Sequence, residues 1–234
     1  MPYGSAFFDT LTSSGNLAIN GNVTISGNDT ANTYNLVSQT LGTATAGRLE
    51  YNGIAPFFTP AGTQRGIVPG MQYYRLNSDL VGLNATGNQK ILGVGVTLSS
   101  NTVYAFESFS VLYKSAGTTS HTVGINWATT GTGSFNSAYT VQYVSDGSLV
   151  NSPVYGNRNA SFGNVVLTSA ITTAIHLVTL VQKGTINVTT GGIFTPQYYL
   201  SAAPGGAYST LEGSYMSIYP IGVAGANVNV GSWA

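Results

Sequence analysis

Asn101-Thr102-Val103-Tyr104-Ala105-Phe106-Glu107-Ser108-Phe109-Ser110-Val111-Leu112-Tyr113 has the alternation of a long β-strand and decides the fold class. Strand side chains point to opposite faces in turn. One face of this run is therefore Tyr104, Phe106, Ser108, Ser110 and Leu112. The other is Val103, Ala105, Glu107, Phe109, Val111 and Tyr113. Both rows carry bulky groups, so the run is expected to be buried on both sides, with a neighbouring subunit available as one of the covers.

The same texture extends outward in both directions. From about residue 66 short apolar runs alternate with Gly, Asn and Ser clusters, and strands are expected over 68–76, 91–98, 103–113, 121–128, 139–144, 174–183, 193–202 and 211–221. Tyr198-Tyr199-Leu200 and Tyr215-Met216-Ser217-Ile218-Tyr219 are again aromatic on both faces. Thirty glycines and the lack of any sustained 3.6-residue periodicity leave no helix signal. The expectation is an all-β antiparallel sandwich, and the strand count fits a jelly roll.

Composition narrows the function classes. The 234 residues include 7 basic and 7 acidic ones, so net charge is zero and only 6% of the chain is charged. Ordinary domains carry about 25%. A surface made polar by Ser, Thr, Asn and Tyr lacks charge repulsion and is prone to associate. Neutrality also removes the electrostatic term behind most nucleic-acid affinity, so no nucleic-acid partner is expected. There is no cysteine, hence no disulfide and no thiolate metal site. Met1-Pro2-Tyr3-Gly4-Ser5-Ala6 is neither basic nor apolar enough for a secretory start. No apolar run approaches the ~20 residues of a spanning helix, and membrane insertion is not expected. Sequons such as Asn22-Val23-Thr24 occur by chance in so Asn- and Thr-rich a chain.

The N-terminal region is different in kind. Three six-residue blocks follow one another: Ser14-Gly15-Asn16-Leu17-Ala18-Ile19, Asn20-Gly21-Asn22-Val23-Thr24-Ile25 and Ser26-Gly27-Asn28-Asp29-Thr30-Ala31. A six-residue period fits a short strand and a tight turn, with Gly and Asn supplying the turn. One such ribbon cannot bury its own apolar row, so Leu17, Ile19, Val23 and Ile25 are read as the neck of an oligomer. Before it, Tyr3, Phe7, Phe8 and Leu11 make the leader too aromatic for a free tail. The leader either docks on a partner or packs back on its own domain. Gly42-Thr43-Ala44-Thr45-Ala46-Gly47 reads as a linker. The expected division is an attachment arm and neck over 1–50 and a knob domain over 51–234.

Two segments carry a family resemblance. The strand from Asn101 to Phe109, with Tyr104-Ala105-Phe106, resembles a strand of trimeric complement-head and tumour-necrosis-factor-like jelly rolls. Leu211-Glu212-Gly213-Ser214-Tyr215-Met216-Ser217-Ile218-Tyr219-Pro220-Ile221-Gly222 resembles the last strand of that fold. From Leu49 onward the chain is similar to virion proteins of tailed phages, including Phe57-Phe58-Thr59-Pro60 and Arg65-Gly66-Ile67-Val68-Pro69 ahead of the jelly-roll strands. The resemblance implies a homotrimer on the virion surface, with major capsid or tail proteins as partners. With only about fifty residues before the knob, capsid decoration, cement or a head fibre is the implied role. A receptor-binding tail fibre that attaches to host surface glycan is the alternative, and a glycan depolymerase a weaker one.

Candidate chemistry is sparse. Ser120 and His121 are adjacent, so in a strand they face apart and form no nucleophile–base pair. His176, in Ile175-His176-Leu177-Val178, reads as a hydrogen-bonded core or interface histidine. Asp9, Asp29, Glu50, Asp79, Glu107, Asp146 and Glu212 are scattered, and no metal-ligand spacing occurs. No catalytic, cofactor or metal residue is assigned, and no cofactor is expected. Glu107 either pairs with Lys114, Arg75 or Lys183 or faces outward with its stem packed. The Gly/Ser/Asn/Tyr-rich loops over 129–135, 145–159 and 202–210 resemble recognition loops. Within and beside them Tyr155, Arg158, Phe162 and Tyr208 are the candidate glycan contacts, and 145–162 is the expected distal tip.

Overall fold

The computed structural model describes residues 35–144, 154–159, 162–225 and 227–230, with the backbone alone over 137–144 and 154–159. The chain divides into two compact units, Met1–Asn35 and Leu36–Ala234. The expected docking residues Tyr3, Phe7, Phe8 and Leu11, and the neck residues Leu17, Ile19, Val23 and Ile25, lie outside the described residues.

The described part is all-β. A three-stranded sheet is formed by β1 (Leu49–Tyr51), β2 (Pro56–Phe58) and β3 (Gly66–Ile67). An eight-stranded sheet contains β4 (Gln72–Arg75), β5 (Leu80–Val81), β8 (Thr102–Lys114), β10 (Thr132–Val144), β11 (Val154–Asn159), β13 (His176–Thr190), β15 (Ser209–Thr210) and β16 (Tyr215–Val223). A five-stranded sheet contains β6 (Gly87–Lys90), β7 (Val96–Leu98), β9 (Val123–Thr129), β12 (Val165–Val166) and β14 (Gly192–Leu200). Every pairing is antiparallel, and the two large sheets form a sandwich-like arrangement.

The opening strand is the centre of the larger sheet. β8 pairs along its whole length with β13, and on its other side with β16 and then β15. Its even-numbered row, Tyr104 to Lys114, is buried. Its odd-numbered row from Ala105 to Tyr113 is half-buried within one chain, so a single chain seals only one of the two faces. Glu107 lies on that outer row and meets Lys183, its register partner on β13, at 3.1 Å. With side chains 41% and 63% exposed, the pair is worth only about 0.2–1 kcal/mol.

β9 to β10 and β13 to β14 both pass from one sheet to the other at a shared corner. There Thr130 N–H donates to the Ile193 carbonyl at 3.0 Å, and Ile193 N–H donates to Thr130 Oγ1 at 2.9 Å. A Cβ on Gly192 would lie 2.5 Å from the amide nitrogen of Gly131, so the crossing needs glycine at this close approach.

Between the sheets the aromatic rings gather. Phe135 packs on Phe106 at 5.6 Å, Trp127 at 5.3 Å and Phe162 at 5.4 Å, and Phe162 continues to Phe194 at 5.8 Å. Two expectations are corrected here. The segment 129–135 is not a recognition loop but largely the start of β10. Phe162, expected at the distal tip, packs against the core because it is one of these rings.

The expected linker is also folded. Gln39 N–H donates to the Tyr51 carbonyl, Gly47 N–H to the Thr59 carbonyl, and Gly42 N–H to Glu50 Oε1 at 2.9 Å. Glu50 is buried, with Arg65 at 2.7 Å and Arg48 at 3.3 Å. Burial pushes its carboxyl up, but the Gly42 N–H and then the two guanidinium groups outweigh it and hold it below the ordinary carboxylate value. This buried ion cluster belongs to the second unit, so that unit begins well before residue 51.

Candidate functional site

The most concentrated chemistry lies inside the sandwich, where the even-numbered row of β8 ends at Lys114. His176 opens β13, Tyr208 precedes β15, and His121 forms a lone bridge with Ile171 just before β9. None of these four residues is more than 2% exposed. The Tyr208 hydroxyl lies 2.8 Å from His121 Nε2 and 2.7 Å from His176 Nδ1. His121 Nδ1 lies 2.7 Å from the carbonyl oxygen of Thr119.

Those partners fix the proton order. A carbonyl only accepts, so His121 carries its proton on Nδ1 and donates it to Thr119. In the neutral ring Nε2 then accepts from the Tyr208 hydroxyl. The same hydroxyl oxygen accepts from His176 Nδ1–H. The result is a one-way chain, His176 to Tyr208 to His121 to Thr119.

Lys114 closes the cluster. Its Nζ contacts the carbonyl oxygens of Gly117 at 2.7 Å, Thr173 at 2.5 Å, Ala174 at 3.2 Å and Ala116 at 3.4 Å. Acceptors alone suit an ammonium with three protons to give. The same Nζ lies 6.0 Å from the centre of the Tyr208 ring. Among the described residues it has no carboxylate partner, and burial pulls its pKa down.

Burial dominates every other shift here. His176 is pulled down to about 4 by desolvation first, then by His121 and Lys114. His121 is lowered by desolvation, against its bond to Thr119, with Lys114 adding to the fall. Tyr198, whose hydroxyl donates to Gln89 Oε1 at 2.7 Å, is pushed up to about 12, and Tyr208 is pushed higher still. Both histidines are therefore neutral at pH 7. The cluster ties the loop after β8, the loop before β13 and the loop before β15 to one another. With every member buried, it serves as a polar staple rather than a surface that receives a ligand.

The sequence expectations fare unevenly. His176 is a hydrogen-bonded core histidine, but it has company that its sequence neighbours do not reveal. Tyr208, expected as a glycan contact, is fully buried because its hydroxyl satisfies two histidines at once. Tyr155 and Arg158 sit on β11, whose backbone pairs with β10, so 154–159 is a strand and not a loop. Their side chains lie outside the described residues. One signal for Lys114 was available: counting by two from Tyr104 puts it on the buried face, opposite to Glu107.

Two surface features remain. On the outer face of the large sheet, Tyr73 stacks on Tyr215 at 5.4 Å and Tyr215 on Phe109 at 6.1 Å. Val111, Tyr113, Leu177 and Val181 continue this half-buried face, and Glu107, Lys183 and Arg75 are its charged members on β4, β16, β8 and β13. The second feature is a cleft of about 290 Å³ between β4 and β7. Among the described residues no group of three or more His, Asp or Glu converges in metal-binding geometry.

No family model, curated protein or solved structure matches this chain.

Proposed function

We propose that this chain is a non-enzymatic structural protein of a tailed-phage virion. In this reading it is a jelly-roll knob that assembles as a homotrimer and docks on major capsid or tail proteins through its N-terminal arm. The observation that carries the reading is the outer face of the eight-stranded sheet. A solvated sheet face normally alternates with polar groups. Here an aromatic ladder through Tyr73, Tyr215 and Phe109 stands half-exposed, with apolar Val111, Val181 and Leu177 beside it. Such a face, with few charges and several tyrosines, has the composition of an interface core.

The test is self-association in solution. The full chain is expected to sediment as a trimer. Phe109→Ser combined with Tyr215→Ser is expected to raise the dissociation constant at least about 100-fold, since buried aromatic anchors cost about 2 kcal/mol or more on truncation. A monomeric parent protein, or an unchanged trimer in the variant, would remove the interface. Arm docking has its own check. Deleting residues 1–30 is expected to leave a trimer that no longer joins particles, and normal incorporation would refute that role.

A further inference from the structure

We propose that the cleft between β4 and β7 binds an uncharged sugar. The register of β4 on β16 pairs Tyr74 with Met216 and Gln72 with Ile218. Opposed residues of a pair share a face, so Gln72 and Tyr74 point to the same side as the buried Met216 and Ile218. Yet Tyr74 is 44% exposed, because the second sheet does not close over it. The interlayer space opens here to solvent as a cleft with Leu92, Val96, Met216 and Ile218 among its lining residues. Gly95 shapes the far wall: a Cβ there would collide with Thr195 and lie 3.0 Å from the Phe194 carbonyl oxygen.

The lining selects the ligand. No acidic, basic or histidine side chain borders the cleft, so an ion entering it would lose water and find no partner. A wholly apolar ligand fits no better, since Gln72 and the outer edge of β4 present polar groups to the same space. Among the described residues β4 pairs with β16 alone, which leaves its other edge free to donate and accept. A pyranose matches this mixture. Its C–H face covers the apolar floor and a tyrosine ring, and its hydroxyls meet the Gln72 amide and the strand edge. An added peptide strand is the rival, but four residues of β4 give it a short ladder. The volume sits at the small end of the roughly 300–1,000 Å³ of ligand pockets, the size of one or two sugar rings rather than a chain segment. None of the four residues expected to touch glycan lines the site.

The experiment is saturation-transfer NMR on the full chain with neutral gluco-, galacto- and manno-trisaccharides, a sialylated trisaccharide, and a synthetic peptide of residues 14–28. At least one neutral sugar is expected to saturate through its ring C–H protons, with millimolar affinity. Tyr74→Ala is expected to weaken it at least about tenfold, and Gln72→Ala to weaken it by less. Val166→Ala, on an exposed residue of β12, is expected to leave it unchanged. Tyr74 is 44% exposed and lies outside the buried core, so its variant is expected to melt like the parent and isolate binding from folding. Silence from all neutral sugars at about 10 mM would overturn the proposal. So would preference for the sialylated sugar, binding of the peptide in its place, or indifference to Tyr74→Ala.

Discussion

Lowering the pH from 7 to 4 is expected to remove on the order of 3 kcal/mol of folding stability through His176 alone. The folded chain holds this imidazole neutral, with its pKa pulled from 6.5 to about 4. The unfolded chain takes up a proton near pH 6.5 and the folded chain only near 4. Between those values the unfolded state binds more protons, so stability falls as pH falls. The contribution is complete above pH 6.5 and lost through this window, at about 1.4 kcal/mol per pH unit at most. His121 is shifted in the same direction and steepens the loss. Urea titrations at pH 7.5 and 4.5, at one protein concentration because assembly would otherwise shift the midpoint, read this directly. His176→Gln is expected to lose more than half of the difference between the two pH values. An equal difference in parent and variant would mean that His176 does not titrate there.

The same staple predicts a cost at neutral pH. Tyr208→Phe keeps the ring but deletes the hydroxyl, leaving His121 Nε2 and His176 Nδ1–H without that partner. A buried group stripped of its bond costs about 1–3 kcal/mol, so two of them put the loss at about 2–6 kcal/mol. A glycan contact on a loop would show almost none.

Phe135→Ala is expected to cost about 3–5 kcal/mol, a large part of the roughly 5–15 kcal/mol that holds a domain folded. The ring is 2% exposed and touches Phe106, Trp127 and Phe162, so its removal opens a cavity at the middle of the aromatic cluster. Cavities in a close-packed interior are only partly relieved by relaxation. Thermal melting, followed by the fluorescence of the buried Trp127, measures the loss. Phe135→Leu, which fills most of the space, is expected to retain more than half of it. A change below about 0.5 kcal/mol would return residue 135 to the surface loop that its Gly-rich neighbours suggest.

Some of this was legible in the chain. Alternation over 103–113 fixed a strand and divided its side chains correctly between two faces, because the period of two is a property of the backbone. Each of the eight expected strand segments overlaps an observed strand, since turn residues mark strand ends locally. Residue 114 continues the inward row by the same count. The loops were less legible: 132–135 and 154–159 look like turns in composition and are held as strands by pairing with β13 and β10.

Local alternation and the scarcity of charge thus determined on their own an all-β chain with a central two-faced strand. Tertiary structure alone decided which of its two faces would be sealed and which left half-open, because that depends on where the second sheet lies. It alone brought together Lys114, His121, His176 and Tyr208, residues that no spacing connects. Their meeting follows from loops that converge at one place in the sandwich, where buried polar atoms must find one another once water is excluded.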